Sequence, residues 1–134
     1  MKLNSNTETI SATPEKLYNI LINFTKNNQV PILPQVSNWQ NLEDGCSFTV
    51  MNMINCSMRL TGQTPYQHVQ YTISTDKNIN ANAAFFIEDL GTSSNLHIAV
   101  EADVPIFLQP MIKTPLEHSL DNGLHKIKEL AESI

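Results

Sequence analysis

The closing residues constrain the fold most. Taken as a helix at 100° per residue, Leu116, Leu120, Gly123, Leu124, Ile127, Leu130, Ala131 and Ile134 fall within roughly one third of the wheel, and every charged residue from Glu117 onward falls outside it. A helix carrying such a stripe has to bury it against another element. Its start is signalled by Thr114-Pro115-Leu116-Glu117, which reads as a capping box. The Thr114 hydroxyl accepts from the Glu117 N–H, the Glu117 carboxylate reaches back, and Pro115 sits where no N–H is missed.

The partner for that stripe lies upstream. Over 96–104, Leu96, Ile98, Val100, Ala102 and Val104 alternate with His97, Ala99, Glu101 and Asp103, giving a strand with one apolar and one wet face. Val69, Tyr71 and Ile73 alternate in the same way with Gln70, Thr72 and Ser74. Turn signals at Asp44-Gly45, "TPYQ" (64–67), "TDKN" (75–78) and "DLGTSSN" (89–95) punctuate 36–104 with no helical segment between them, which argues an antiparallel meander of about six strands.

Residues 2–10 read as one opening strand with a wet face. Thr13 then caps a helix beginning at Pro14, with Leu17, Tyr18, Leu21 and Phe24 at helical spacing. Pro31 and Pro34 prevent "KNNQVPILP" from extending that helix, so a short second helix or an irregular segment is expected there. The order predicts an α+β, helix-grip architecture, in which a curved antiparallel sheet of six or seven strands wraps a long C-terminal helix and two short helices follow the first strand. All 134 residues are expected to form one domain of this kind.

Charge excludes some functions. The formal net charge is -5 and Arg59 is the only arginine, so no basic stripe exists to neutralise phosphates and nucleic acid is not an expected partner. No stretch approaches the ~20 apolar residues of a membrane span, and the start lacks a signal-peptide core; a cytoplasmic protein without membrane insertion is expected. Cys46 and Cys56 read as two reduced thiols, since ten extended residues span about 30 Å unless the chain folds back between them.

The chain resembles the SRPBCC superfamily, the pollen-allergen, START and polyketide-cyclase group, over essentially its full length. The resemblance rests on the opening strand with "SATPEKLYNIL", on "GCSFTV" after a hairpin, on "TPYQHVQYTIS", and on "ADVPIFLQPMIKTPLEHSLDNGLHKIKEL". The match is to small, single-domain bacterial members. It implies an internal cavity between sheet and final helix, used in the superfamily for lipids, sterols, polyketides or other apolar molecules. Small members tend to carry Gly after the "CSF" stretch, where this chain has Asn52 and Ile54.

On that basis the expected function is binding of a small apolar or amphipathic ligand, lipid-like or polyketide-like. The expected lining is Phe48, Val50, Asn52, Met58, Leu60, Tyr71, Ile73, Ile98 and Val100 from strands, with Leu120, Gly123 and Leu124 from the helix. Asn52 is expected to orient the ligand, because such pockets are mostly apolar with a few placed polar groups. Phe107 and Met111, in the short "PIFLQPMI" segment, are expected to rim or plug the mouth as a helical turn or kinked lead-in. The bare backbone at Gly123 either receives Phe85 or Phe86 or leaves pocket volume.

Two alternatives stand beside it: a cyclase or hydrolase acting on such a ligand, and a protein-interaction module with a collapsed cavity. No nucleophile, P-loop, GxGxxG or metal motif occurs, so catalytic residues, metal ligands and cofactors are not assigned, and the balance leans away from an enzyme. His118, Asp121 and His125 share one helix face opposite the leucines, where they read as a solvated stripe; the two histidines lie about 10 Å apart along the axis. His97, Glu101 and Asp103 fall on the wet face of their strand, and His68 has no evident role. Homodimerisation is left open.

Overall fold

A computed structural model describes residues 1–23, 36–43, 45–50 and 52–133. The short second helix expected over 26–34, Phe24, Asp44, Met51 and Ile134 lie outside the described residues.

The chain forms strands β1 (Lys2–Asn4) and β2 (Glu8–Ile10), helix α1 (Pro14–Asn23), and strands β3 (Val36–Leu42), β4 (Gly45–Val50), β5 (Ile54–Thr64), β6 (His68–Thr75), β7 (Asn80–Asp89) and β8 (Ser94–Ala102). A 3₁₀ turn, Ile106–Leu108, leads into α2 (Gln109–Ser133). All strand pairs are antiparallel, in the order β1-β8-β7-β6-β5-β4-β3, with β2 also on β8. The helix-grip architecture expected from the sequence is present. α2 packs along β1, β2 and β8 at one margin of the sheet, and α1 packs on β6 and β7.

The opening segment is two strands rather than one. Ser5 explains the break: its N–H donates to the Ile98 carbonyl at 2.8 Å, and its hydroxyl oxygen accepts the Ile98 N–H at 2.8 Å. A side chain has replaced one rung of the ladder, which frees Asn6 to turn outward. The hairpin between β3 and β4 also differs from the expected Asp44-Gly45 turn, because Gly45 already pairs with Leu42 as the first residue of β4. Its bare Cα is required for a different reason: a Cβ there would fall on the Met58 carbonyl of β5.

Helix α1 begins at Pro14 as predicted, with the Lys16 N–H donating to Thr13 Oγ1 at 3.3 Å. The capping box at Thr114 is overturned. α2 starts at Gln109, runs through Thr114 and holds Pro115 in its interior. Pro110 is the proline that occupies the first turn, where its missing N–H costs nothing. Gln109 Nε2 meanwhile donates to the Val104 carbonyl at 3.0 Å.

Strand alternation sorts the side chains into two faces. Leu3, Phe48, Met58, Tyr71, Phe85, Leu96 and Ile98 are buried on the inner face, facing Leu17 and Leu21 of α1 and Leu120, Leu124, Ile127 and Ala131 of α2. The helical stripe is narrower than the wheel suggested, for Leu130 is 43% exposed. The Tyr71 hydroxyl crosses the core to donate to the Leu21 carbonyl at 2.6 Å, satisfying an acceptor in the last turn of α1.

Candidate functional site

Three connections meet at one end of the sheet: the β4–β5 turn with Asn52 and Met53, the β6–β7 turn with Lys77, Asn78 and Ile79, and the β8–α2 segment from Asp103 to Leu108. Polar bonds fix each. Asp76 accepts from the Asn55 N–H at 3.2 Å and from Asn55 Nδ2 at 2.8 Å, and its own N–H donates to the Asn55 carbonyl at 3.0 Å. The Thr75 hydroxyl oxygen accepts the Lys77 and Ile79 N–H groups at 3.3 and 3.1 Å, curling the second turn, while Asn78 adopts φ 58°. The Asp103 N–H donates to the Asn80 carbonyl at 2.8 Å and ties the third connection to β7.

Between these turns lies a cleft of about 590 Å³, lined by Met53, Ile54, Lys77, Asn78, Ile79, Asp103, Pro105 and Leu108. Its volume falls within the ~300–1,000 Å³ of small-molecule sites, and its wall is apolar apart from Lys77, Asn78 and Asp103. Ile54, at its wall, pairs with Val50 at the start of β5, and Cys56 and Met58 follow it along the same inner face. Two smaller depressions on the outer face, of about 350 and 360 Å³, are lined by more polar sets that include Glu101 and His97 respectively.

The predicted lining residues divide three ways. Phe48, Val50, Met58, Tyr71, Ile73, Ile98, Leu120, Gly123 and Leu124 are buried, and Leu60 and Val100 are half-buried; cross-strand register puts the eight strand residues on the inner face. Asn52 is not on that face: it is exposed in the β4–β5 turn at φ 54°, with its Oδ1 accepting from the Ser37 hydroxyl at 3.4 Å. Phe107 and Met111 stand outside the cleft wall, 77% and 71% exposed. Apart from Ile54, the first residue of β5, the residues that do form the wall were missed because they come from turns and connections, where hydrophobic periodicity carries no information. Ile79 and Leu108, apolar residues beside polar or proline-rich turns, were the available signal.

Other candidates resolve structurally. His97 is half-buried, Glu101 and Asp103 are exposed, and Phe86 lies outside with them, stacked on His97 at 6.1 Å and against His68 at 5.2 Å. Phe86 therefore cannot fill the space over Gly123; Phe85 faces inward. Asp121 is not a free member of a solvated stripe, since its Oδ1 accepts the Asn6 N–H at 2.8 Å. His125 pairs with Glu129 at 3.0 Å. No group of three or more His, Cys, Asp or Glu side chains suited to a metal occurs among the described residues.

The β4–β5 hairpin folds the chain back between the two cysteines. Cys46 lies opposite Met58 and Cys56 opposite Phe48, so both thiols face inward, two residues out of register. Both are free. Burial pushes each up to about 11, and the Asp76 carboxylate adds to the effect at Cys56.

No family model matches the chain, and no curated protein sequence matches it. Solved structures do. A START superfamily protein from Mycobacterium smegmatis superposes with a TM-score of 0.70 at 18% identity, covering 98% of this chain and 97% of that one. A conserved protein from Geobacillus kaustophilus gives 0.77 at 12% identity, covering 99% and 96%. A protein of the dynemicin biosynthetic locus gives 0.62 at 7% identity; this chain covers 47% of its length. The chain therefore has the START-like, SRPBCC-type helix-grip fold. Among the described residues no helix is long and apolar enough to cross a membrane.

Proposed function

We propose that the chain is one helix-grip domain that binds a small amphipathic molecule, lipid-like or polyketide-like, in the cleft between the three turns. The observation that carries this reading is the cleft itself: an apolar wall of Met53, Ile54, Ile79, Pro105 and Leu108 beside Lys77 and Asn78. A hydrocarbon portion lies against the isoleucines and Leu108. An acidic or hydroxylated head group meets Lys77 and Asn78, which take the orienting role first expected of Asn52. The START superfamily and dynemicin-locus neighbours support a ligand-holding fold of this kind.

Native mass spectrometry of the full chain purified from a cell lysate tests the reading. A discrete bound mass lost on Leu108→Asp is expected. A chain that carries no adduct, and takes none up from a mixture of fatty acids, contradicts it.

An alternative is a cyclase or hydrolase using the same cleft. It would depend on Lys77 or Asp103, the two ionisable side chains in the wall. Turnover of a bound ligand that Asp103→Asn abolishes would favour it.

A further inference from the structure

Beside its apolar residues the cleft wall carries Lys77, Asn78 and Asp103, and so one positive and one negative charge. Backbone bonds keep the two charged residues near each other. The Asp103 N–H donates to the Asn80 carbonyl at 2.8 Å, and Asn80 is only three residues, at most about 10 Å of chain, from Lys77. The Thr75 hydroxyl oxygen, by accepting the Lys77 and Ile79 N–H groups, holds that stretch curled. Yet the charges do not neutralise each other. Among the described residues neither the Lys77 ammonium nor the Asp103 carboxylate has an ion-pair or hydrogen-bond partner, and both side chains are exposed. A ligand seated on the apolar wall therefore meets an unpaired cation and an unpaired anion at once.

That pairing of signs selects the head group. An anionic head drawn to Lys77 is repelled by Asp103, and a cationic head drawn to Asp103 is repelled by Lys77. Coulomb energy falls only as the inverse of distance, so for a singly charged head the two contributions largely cancel within one cleft. A head carrying both signs gains from both. The net charge of -5 acts against an anionic amphiphile and exerts no net pull on a neutral one. It favours a cationic amphiphile, but screening over a Debye length of about 8–10 Å weakens that distant attraction, whereas Lys77 opposes the cation inside the cleft itself. We propose that the amphiphile of this cleft is zwitterionic, with its anionic group, a phosphate or carboxylate, at Lys77 and Asn78 and its cationic group, an ammonium, at Asp103. This rests on the cleft being the ligand site and adds the class of head group to it.

Calorimetric titration of the full chain with amphiphiles of matched chain length, each below its micelle concentration, tests this: decylphosphocholine, decyl betaine, decanoate and decyltrimethylammonium. An exposed ion pair changes affinity by up to about fivefold. At least one zwitterion is accordingly expected to bind about fivefold more tightly than either singly charged amphiphile. Decylphosphocholine carries its anion next to the chain and decyl betaine its cation, so the tighter of the two gives the order of the charges. Asp103→Asn is expected to weaken the preferred zwitterion about fivefold while tightening decanoate. Lys77→Met is expected to weaken the same zwitterion while tightening decyltrimethylammonium. A variant that tightens one ligand is folded, so these gains separate loss of a charge from loss of structure. Decanoate or decyltrimethylammonium bound as tightly as both zwitterions overturns the proposal, as do unchanged preferences in Asp103→Asn, and either result leaves the cleft standing as a ligand site. Binding of none of the amphiphiles overturns the cleft as the ligand site and the head-group assignment with it.

Discussion

Asp121 of α2 accepts the Asn6 backbone N–H at 2.8 Å, although the two residues are 115 positions apart. About three helical turns further on, Glu132 Oε2 accepts the Ser11 N–H at 2.9 Å. These carboxylates clamp the helix on both sides of β2, at the margin where it meets the sheet. Both bonds are solvent-exposed, which discounts the ~1.5–3 kcal/mol of a charge-assisted bond. Asp121→Ala is therefore expected to cost about 1 kcal/mol, lowering Tm by about 3 °C in a chain of this size. Asp121→Asn, which keeps a carbonyl acceptor, is expected to lose less. Paired thermal melts check the difference.

The buried thiols make stability depend on alkaline pH. Cys46 and Cys56 are raised from the usual 9.0 to about 11 by folding, so the unfolded chain loses these protons first. Above pH 9 the unfolded state binds fewer protons than the folded one, and stability falls with rising pH until the folded thiols titrate near 11. Urea unfolding at intervals across this window is expected to show that decline. A Cys46→Ala/Cys56→Ala variant should show a shallower one over the same window.

Pro115 is the seventh residue of α2, where its ring removes the N–H that would bond the Met111 carbonyl. Replacing it by alanine restores that bond and a good helix former. Pro115→Ala is expected to raise stability by about 1–3 kcal/mol, with increased helical circular dichroism. If Thr114 began the helix, the same substitution would instead remove a favourable first-turn proline and bring no gain.

Pro115 also illustrates what could be read from the chain and what could not. The strands at 69–73 and 96–102 were legible because a half-buried strand imprints a period of two, and the face of α2 was legible because burial imprints a period of 3.6. Inner-face residues such as Met58, Tyr71 and Ile98 followed from that alternation. The true start of α2 did not, because two prolines five residues apart each satisfied the rule for a first-turn position, and the choice was made by the Val104–Gln109 contact upstream. The split of the first strand depended on Ser5 bonding Ile98, a long-range event with no local signature. The same holds for the cleft, whose wall is assembled from turns around residues 53, 78 and 105 that only the meander brings together. Asn52 looked suitable because it alternated with Phe48 and Val50, but the strand ends at Val50 and the alternation ends with it.

The central claim is that the cleft between the three turns takes an amphipathic ligand. It is tested most directly by titrating ¹⁵N-labelled protein with decanoate and following the backbone amides. Saturable shifts concentrated at Met53, Ile54, Lys77, Ile79 and Leu108, and weakened in Leu108→Asp, are predicted. Shifts that never saturate, or that gather on the outer face around Phe86 and His97 while the cleft amides stay still, would contradict it.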